Sequence, residues 1–324
     1  MPAKKIKPKI ALYWCSSCGG CEEAVVDLHE DILKVIQAVD IVFWPVAMDF
    51  KYKDVEAMAD GSIAVSFING AIRTSEQEEI AKLLRKKSGL VIAFGACSYM
   101  GGIPGLANFW DKASIFNEAY KDSISVAKQQ NIFPQEKTSM TEGELELPSF
   151  YDTVKTLNQT IDVDYYLPGC PPTPELISAA VTAILENKLP AKGAVIGSAK
   201  SLCYDCPRKG GDPKKISIKE LKRPHEVLAD PNVCFLEQGI ICMGPSTRSC
   251  ESAKCIKANM PCTGCFGPTD NVVDQGGKFV SALASIIDID NEEDFKKVAE
   301  TIVDMNGKFY RYGLPASLLQ RKKI

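Results

Sequence analysis

Residues 10–23 read IALYWCSSCGGCEE: an apolar run from Ile10 to Trp14, then cysteines at 15, 18 and 21, with Gly19 and Gly20 between the last two. A strand-length run, a glycine turn and acids at the start of a periodic segment predict a strand passing directly into a helix over Glu22 to Ala38. The same unit recurs. Ile41 to Val46, Ile63 to Ile68, Leu90 to Gly95 and Val163 to Leu167 are short apolar runs of strand length. Ser75 with Glu78 forms a capping box for a second helix. Thr173, Pro174 and Glu175 supply an N-cap, a first-turn proline and a first-turn acid for a third. Near-continuous apolar strands alternating with helices predict an α/β fold, a flavodoxin-like doubly wound parallel sheet that binds ligands at the carboxyl ends of its strands.

Two stretches break this rhythm. Residues 107 to about 160 form a polar insertion dotted with aromatics, among them Trp110, Phe116, Tyr120 and Phe150. It reads either as a partner-docking excursion or as a solvated helical insertion packed on its own domain. From about residue 196 periodicity fades, Gly and Pro rise, and eight cysteines fall between Cys203 and Cys265. Such a stretch needs something besides an apolar core to hold it, and metal clusters would do so. Residues 1–195 are therefore read as the sheet domain and 196–324 as an irregular, cysteine-rich iron–sulfur cluster-binding domain. One further helix is expected over Asn291 to Met305.

Composition narrows the function. With 324 residues, 45% hydrophobic, 24% charged and a formal charge of −3, the chain is globular, and nothing in its balance favours nucleic acid or an anionic membrane. The basic start, Met1 to Lys9, lacks an export signal, and no window reaches the roughly 18 apolar residues of a membrane helix, so the expected location is cytoplasmic. Thirteen cysteines without a signal peptide point to metal rather than to disulfides, and with only His29 and His225 present the ligands must be sulfur. Both histidines read as surface or packing residues. Phosphate-loop, dinucleotide, hydrolase-elbow and zinc-protease motifs are absent from the sequence.

Cys18 and Cys21 follow the first strand, Cys97 follows Leu90 to Gly95, and Cys170 follows Val163 to Leu167. Strand ends of a parallel sheet face one crevice, so four thiolates converge there, as a 4Fe–4S cluster or a structural zinc requires. Cys15 is set aside because alternation turns it into the core. The later eight cysteines make two more sets of four. Their irregular spacing favours iron–sulfur over a zinc-stapled scaffold that only binds partners, which paired Cys-x-x-Cys units leave open. Glu23, beside Cys21, is a candidate proton relay.

These residues together resemble the small, electron-transferring subunit of a NiFe hydrogenase over most of the chain. The family's motifs stand here as Cys18-Gly-Gly-Cys21-Glu-Glu23, Gly95-Ala-Cys97-Ser-Tyr-Met-Gly101-Gly102 and Pro168-Gly-Cys170-Pro-Pro172. The resemblance implies that Cys18, Cys21, Cys97 and Cys170 ligate a proximal 4Fe–4S cluster. Cys203-Tyr-Asp-Cys206-Pro-Arg208 is similar to the distal-cluster motif, with cysteine where many members carry histidine, and Cys234 and Cys242 complete that set. Cys250 and Pro261-Cys262-Thr-Gly-Cys265 resemble the medial motif, often a 3Fe–4S site. Cys255 offers a fourth ligand, so three 4Fe–4S clusters are expected.

Within the family the chain resembles the cytoplasmic, viologen-reducing (non-deazaflavin-reducing) group. Its members pair a NiFe large subunit with a 2Fe–2S subunit that serves a heterodisulfide reductase complex. A deazaflavin- or NAD(P)-linked sibling would look similar, and a complex I-like cluster subunit resembles only the sheet half.

Overall fold

Five short apolar runs become the strands of one parallel sheet in the computed structural model, which describes residues 7–127, 132–208 and 216–321. The strands are β1 (Lys9–Trp14), β2 (Asp40–Phe43), β3 (Ile63–Asn69), β4 (Ser88–Phe94) and β5 (Tyr165–Leu167). Their order is β2-β1-β3-β4-β5, the flavodoxin-like 2-1-3-4-5 arrangement. β3 lies at the centre, with Phe67 in register with Leu12 on one side and Ile92 on the other. Period-two alternation splits each strand between two cores. Ile10, Leu12, Phe67, Phe94 and Leu167 pack on one face; Ala11, Tyr13, Cys15, Ile68 and Val91 pack on the other. The expected runs match these strands to within about three residues, so the fold class stands. Residues 1–6 and the terminal Lys322 and Lys323 lie outside the described residues.

The first helix is two. α1 (Gly20–Val26) and α2 (Asp31–Ala38) are separated by a turn in which His29 takes a left-handed φ of 52°. A right-handed helix does not continue through such a residue. The break turns Leu28 into the core, while Leu33 and Ile36 of α2 stay exposed. α3 (Ser75–Lys87) is capped one residue earlier than the capping box implied. Thr74 Oγ1 accepts from the Gln77 N–H at 3.4 Å, whereas Ser75 Oγ accepts from the Ser149 N–H at 3.0 Å. α4 (Ala96–Met100) follows β4 through Gly95. α5 (Pro174–Leu185) starts as expected, with Thr173 Oγ1 accepting from the Leu176 N–H.

The insertion is not mainly helical. Short helices over Lys112–Asn117 and Glu118–Asp122 lead to an exposed hairpin, Lys137–Met140 with Gly143–Glu146. The strand Phe150–Lys155 then pairs antiparallel with Ile72–Thr74 beside the main sheet. Phe116 packs on Phe150, and the Arg73 guanidinium lies 4.3 Å from that ring's centre, so most of the aromatics serve the chain's own packing. Trp110 stays exposed.

A third buried cluster is drawn entirely from residues 202–309. The longest helices of this half are α6 (Gln275–Ala284), capped by Asp274, which gives Phe279 and Leu283 to that cluster, and α7 (Glu292–Glu300), capped by Asn291, which buries none. The helix expected over Asn291 to Met305 thus ends at Glu300, and a short helix, Met305–Phe309, follows. The tail then runs back to the sheet half. The Tyr312 carbonyl accepts from the Gly102 N–H at 2.9 Å, the Gln320 carbonyl accepts from Asn108 Nδ2 at 3.0 Å, and Pro315 covers Gly101 and Gly105.

Candidate iron–sulfur sites

β1 ends at Trp14, and the chain crosses the sheet's carboxyl edge before α1 begins, so Cys18 sits in the turn and Cys21 in the first turn of α1. The sharp approach of Gly95 and the cap of α4 place Cys97, and the end of β5 places Cys170. Burial pushes the Cys21 thiol far up, and the fields of Cys97, Cys170 and Cys18 push it further. Cys97 is pushed up to about 12, by burial first and then by Cys170 and Cys18. Cys170 is raised by burial and by Cys18. The four cysteines therefore share one pocket. Cys21, Cys97 and Cys170, whose protons burial holds in place, would give them up to a centre carrying several positive charges.

The backbone is shaped around these sulfurs. A Cβ on Gly95 would collide with Cys21 Sγ, and one on Gly102 with Cys97 Sγ. Gly20 N–H reaches Cys18 Sγ at 3.4 Å, and the Ile103 N–H donates to Cys97. Such donors stabilise a thiolate and any cluster it holds. Cys15 is buried in the Tyr13, Phe43 and Ile68 core, away from the four.

Sequence reasoning singled out Glu23, but Glu23 is exposed and Glu22 is the buried acid, 4% accessible. Glu22 accepts from the Trp44 indole N–H and from Asn69 Nδ2 at 2.6 Å. Burial raises its pKa against those two donors. A polar Asn69 closing a mostly apolar strand was the one signal that could have pointed to this network.

In the second half, Cys203 and Cys242 flank Gly244, whose Cβ would stand 3.2 Å from one sulfur and 3.6 Å from the other. Cys242, raised by burial, also feels Cys234 and Cys206, and Cys234 feels Cys206. Those four form one group. Cys265 is pushed up to about 12 by burial and sits in the fields of Cys170, Cys250 and Cys255. Cys262, also raised by burial, feels Cys242 and Cys265. Cys265 thus neighbours Cys250 and Cys255 as well as Cys170, and Cys262 neighbours Cys242 as well as Cys265, with Cys255 exposed and Cys262 buried.

Two contacts link the three expected sets. The Cys170 N–H donates to Cys265 Sγ, and the Cys262 N–H donates to Cys242 Sγ at 3.3 Å. Cys265 thus touches the strand-end cysteines, and Cys262 touches Cys242. Among the described residues no set of three or more His, Cys, Asp or Glu side chains is gathered as tightly as a single metal ion demands. A cubane spreads its four thiolates wider than one tetrahedral ion does, and an all-cysteine donor set suits it. The residues present fit iron–sulfur clusters.

A flavodoxin-like sheet with cysteines on its strand ends, extended by a cysteine-rich domain, defines an iron–sulfur oxidoreductase subunit. The profile of the family described as "NADH ubiquinone oxidoreductase, 20 Kd subunit" matches residues 18–184, which is the sheet half. Full-length likeness goes further. The iron–sulfur subunit of the F420-non-reducing hydrogenase of Archaeoglobus profundus is 39% identical over 97% of this chain and 98% of its own. Its counterpart in the F420-non-reducing hydrogenase of Methanothermobacter thermautotrophicus is 38% identical over 98% and 97%. The chain belongs to this family of NiFe-hydrogenase small subunits, those of the F420-non-reducing hydrogenases. A chain of the [NiFeSe] hydrogenase of Desulfovibrio vulgaris Hildenborough shares the fold, with a TM-score of 0.52 at 18% identity over 83% of this chain and 96% of that one. Among the described residues no helix is long and apolar enough to cross a membrane.

Proposed function

We propose that this chain is the electron-relay subunit of a cytoplasmic NiFe hydrogenase, paired with a large subunit that oxidises H2 and serving a 2Fe–2S and heterodisulfide reductase-type acceptor. Three 4Fe–4S clusters, when bound, supply one-electron chemistry: a proximal one on Cys18, Cys21, Cys97 and Cys170, a medial one on Cys250, Cys255, Cys262 and Cys265, and a distal one on Cys203, Cys206, Cys234 and Cys242. The observation that supports this reading is the pair of contacts, Cys170 to Cys265 and Cys262 to Cys242, which join cysteines of the three expected sets. The protein's part is to fix ligands, donate N–H groups to sulfur and exclude water, which together set each potential.

Iron and acid-labile sulfide on the anaerobically purified complex test it. About twelve of each per chain are expected, from three clusters of four. About four of each would leave only the sheet site, the complex I type, and zinc without iron would end the reading. The thiolate at Cys203 adds negative charge where histidine would be neutral, which lowers the distal potential. A Cys203→His variant is accordingly expected to titrate at a higher distal potential by EPR-monitored redox titration, and an unmoved potential would refute that role.

A further inference from the structure

A cleft of about 430 Å³ opens between the segment Leu221–Glu226 and the turn Thr301–Arg311, with Ile241, the neighbour of Cys242, on its wall. Four cations line it: Lys222, Arg223, Lys308 and Arg311. Lys222 is paired with Glu220 at 2.5 Å. The other three have no carboxylate within 4.0 Å among the described residues. Two acids also line the cleft, but both are tied to backbone: Glu226 Oε2 accepts from the Arg223 N–H at 2.7 Å, and Asp304 Oδ1 accepts from the Gly307 N–H at 2.8 Å. Lys308 is half-buried beside Arg311, three residues on, and it also sits in the fields of Cys242 and Cys262. Arg311 Nε donates to the Gly307 carbonyl at 3.2 Å, and an anion brought into the cleft would meet its other donors together with those of Arg223 and Lys308. Leu221, Pro224, Ile302 and Val303 give the cleft an apolar side, and its volume falls within the range of small-molecule sites.

The geometry points to a binding site for a small organic anion, a phosphate or carboxylate on an apolar body, in the cleft between Arg223, Lys308 and Arg311. The site goes beyond the relay: no cysteine lines the cleft, though Lys308 on its wall lies in the fields of Cys242 and Cys262.

Anaerobic calorimetry on the intact complex, titrated with phenyl phosphate, inorganic phosphate and phenol, tests it. Phenyl phosphate is expected to bind, inorganic phosphate more weakly, and phenol not at all. Lys308→Gln combined with Arg311→Gln is expected to weaken phenyl phosphate at least tenfold while iron content stays at the parental level. Arg223→Gln, at an exposed position, gives the same direction should the double variant fail to assemble. Absence of heat with either anion, equal binding of phenol, or affinity untouched by these substitutions overturns the site.

Discussion

A Gly95→Ala variant is expected to purify with about four fewer iron atoms per chain, because the added methyl occupies the space of a ligand sulfur. Gly95 has φ 86° and ψ 168°, a region essentially reserved for glycine, in which another residue costs about 1–3 kcal/mol. Its Cβ would also collide with Cys21 Sγ and stand 3.5 Å from the Gly169 carbonyl and 3.6 Å from Pro172 Cδ. Only two adjustments are open: Cys21 turns away, or the β4–α4 turn opens and carries Cys97 with it. Either removes a ligand from the strand-end site. Gly193→Ala separates strain from collision, since Gly193 shares the φ of 86° but its Cβ meets nothing within 4 Å. Iron and sulfide should fall in the first variant and hold in the second. A full complement in Gly95→Ala would mean that Cys21 is not a ligand.

The second large effect is expected on removing iron from the complex under anaerobic chelation. Residues 202–208 and 216–266 should lose their amide protection while β1, β3 and β4 keep theirs. The sheet has two apolar faces of its own. The later half counts Cys242 and Cys262 among its buried residues and packs Cys206, Cys234 and Cys250 against them, while its secondary structure up to Cys265 consists of very short helical turns. Structural metal contributes on the order of 10 kcal/mol or more in small metal-held domains, comparable with a whole domain's stability. Hydrogen exchange read by mass spectrometry decides the matter, and equal protection of both halves after chelation would show that the later core stands without metal.

What the sequence made legible was whatever rests on local signals. The apolar runs gave the strands, and Thr173-Pro174 gave the start of α5, because a cap and a proline act within one turn. The strand-end cysteines followed from topology alone. Elsewhere distant contacts chose between equal local options. Thr74 with Gln77 and Ser75 with Glu78 both satisfy the capping pattern, and the pairing of Ile72–Thr74 with Phe150–Lys155 selects the first. The left-handed His29 has no glycine to announce it. Gly276 and Gly277 hide α6, since glycine argues against a helix interior. The Glu22, Trp44 and Asn69 network joins three elements, so no single stretch of sequence displays it.

The tail that passes over Gly101 and Gly105 bears on modularity. Its Tyr312 carbonyl holds the amide of Gly102, whose own Cα abuts Cys97, and Arg321 reaches Asp152 at 2.8 Å. Part of the wall beside the strand-end thiols is therefore built from Tyr312 and Pro315, which follow the cysteine-rich half. A cut at residue 195, where the composition changes, leaves that wall open, so the sheet half is not a cassette that can be lifted out and kept whole.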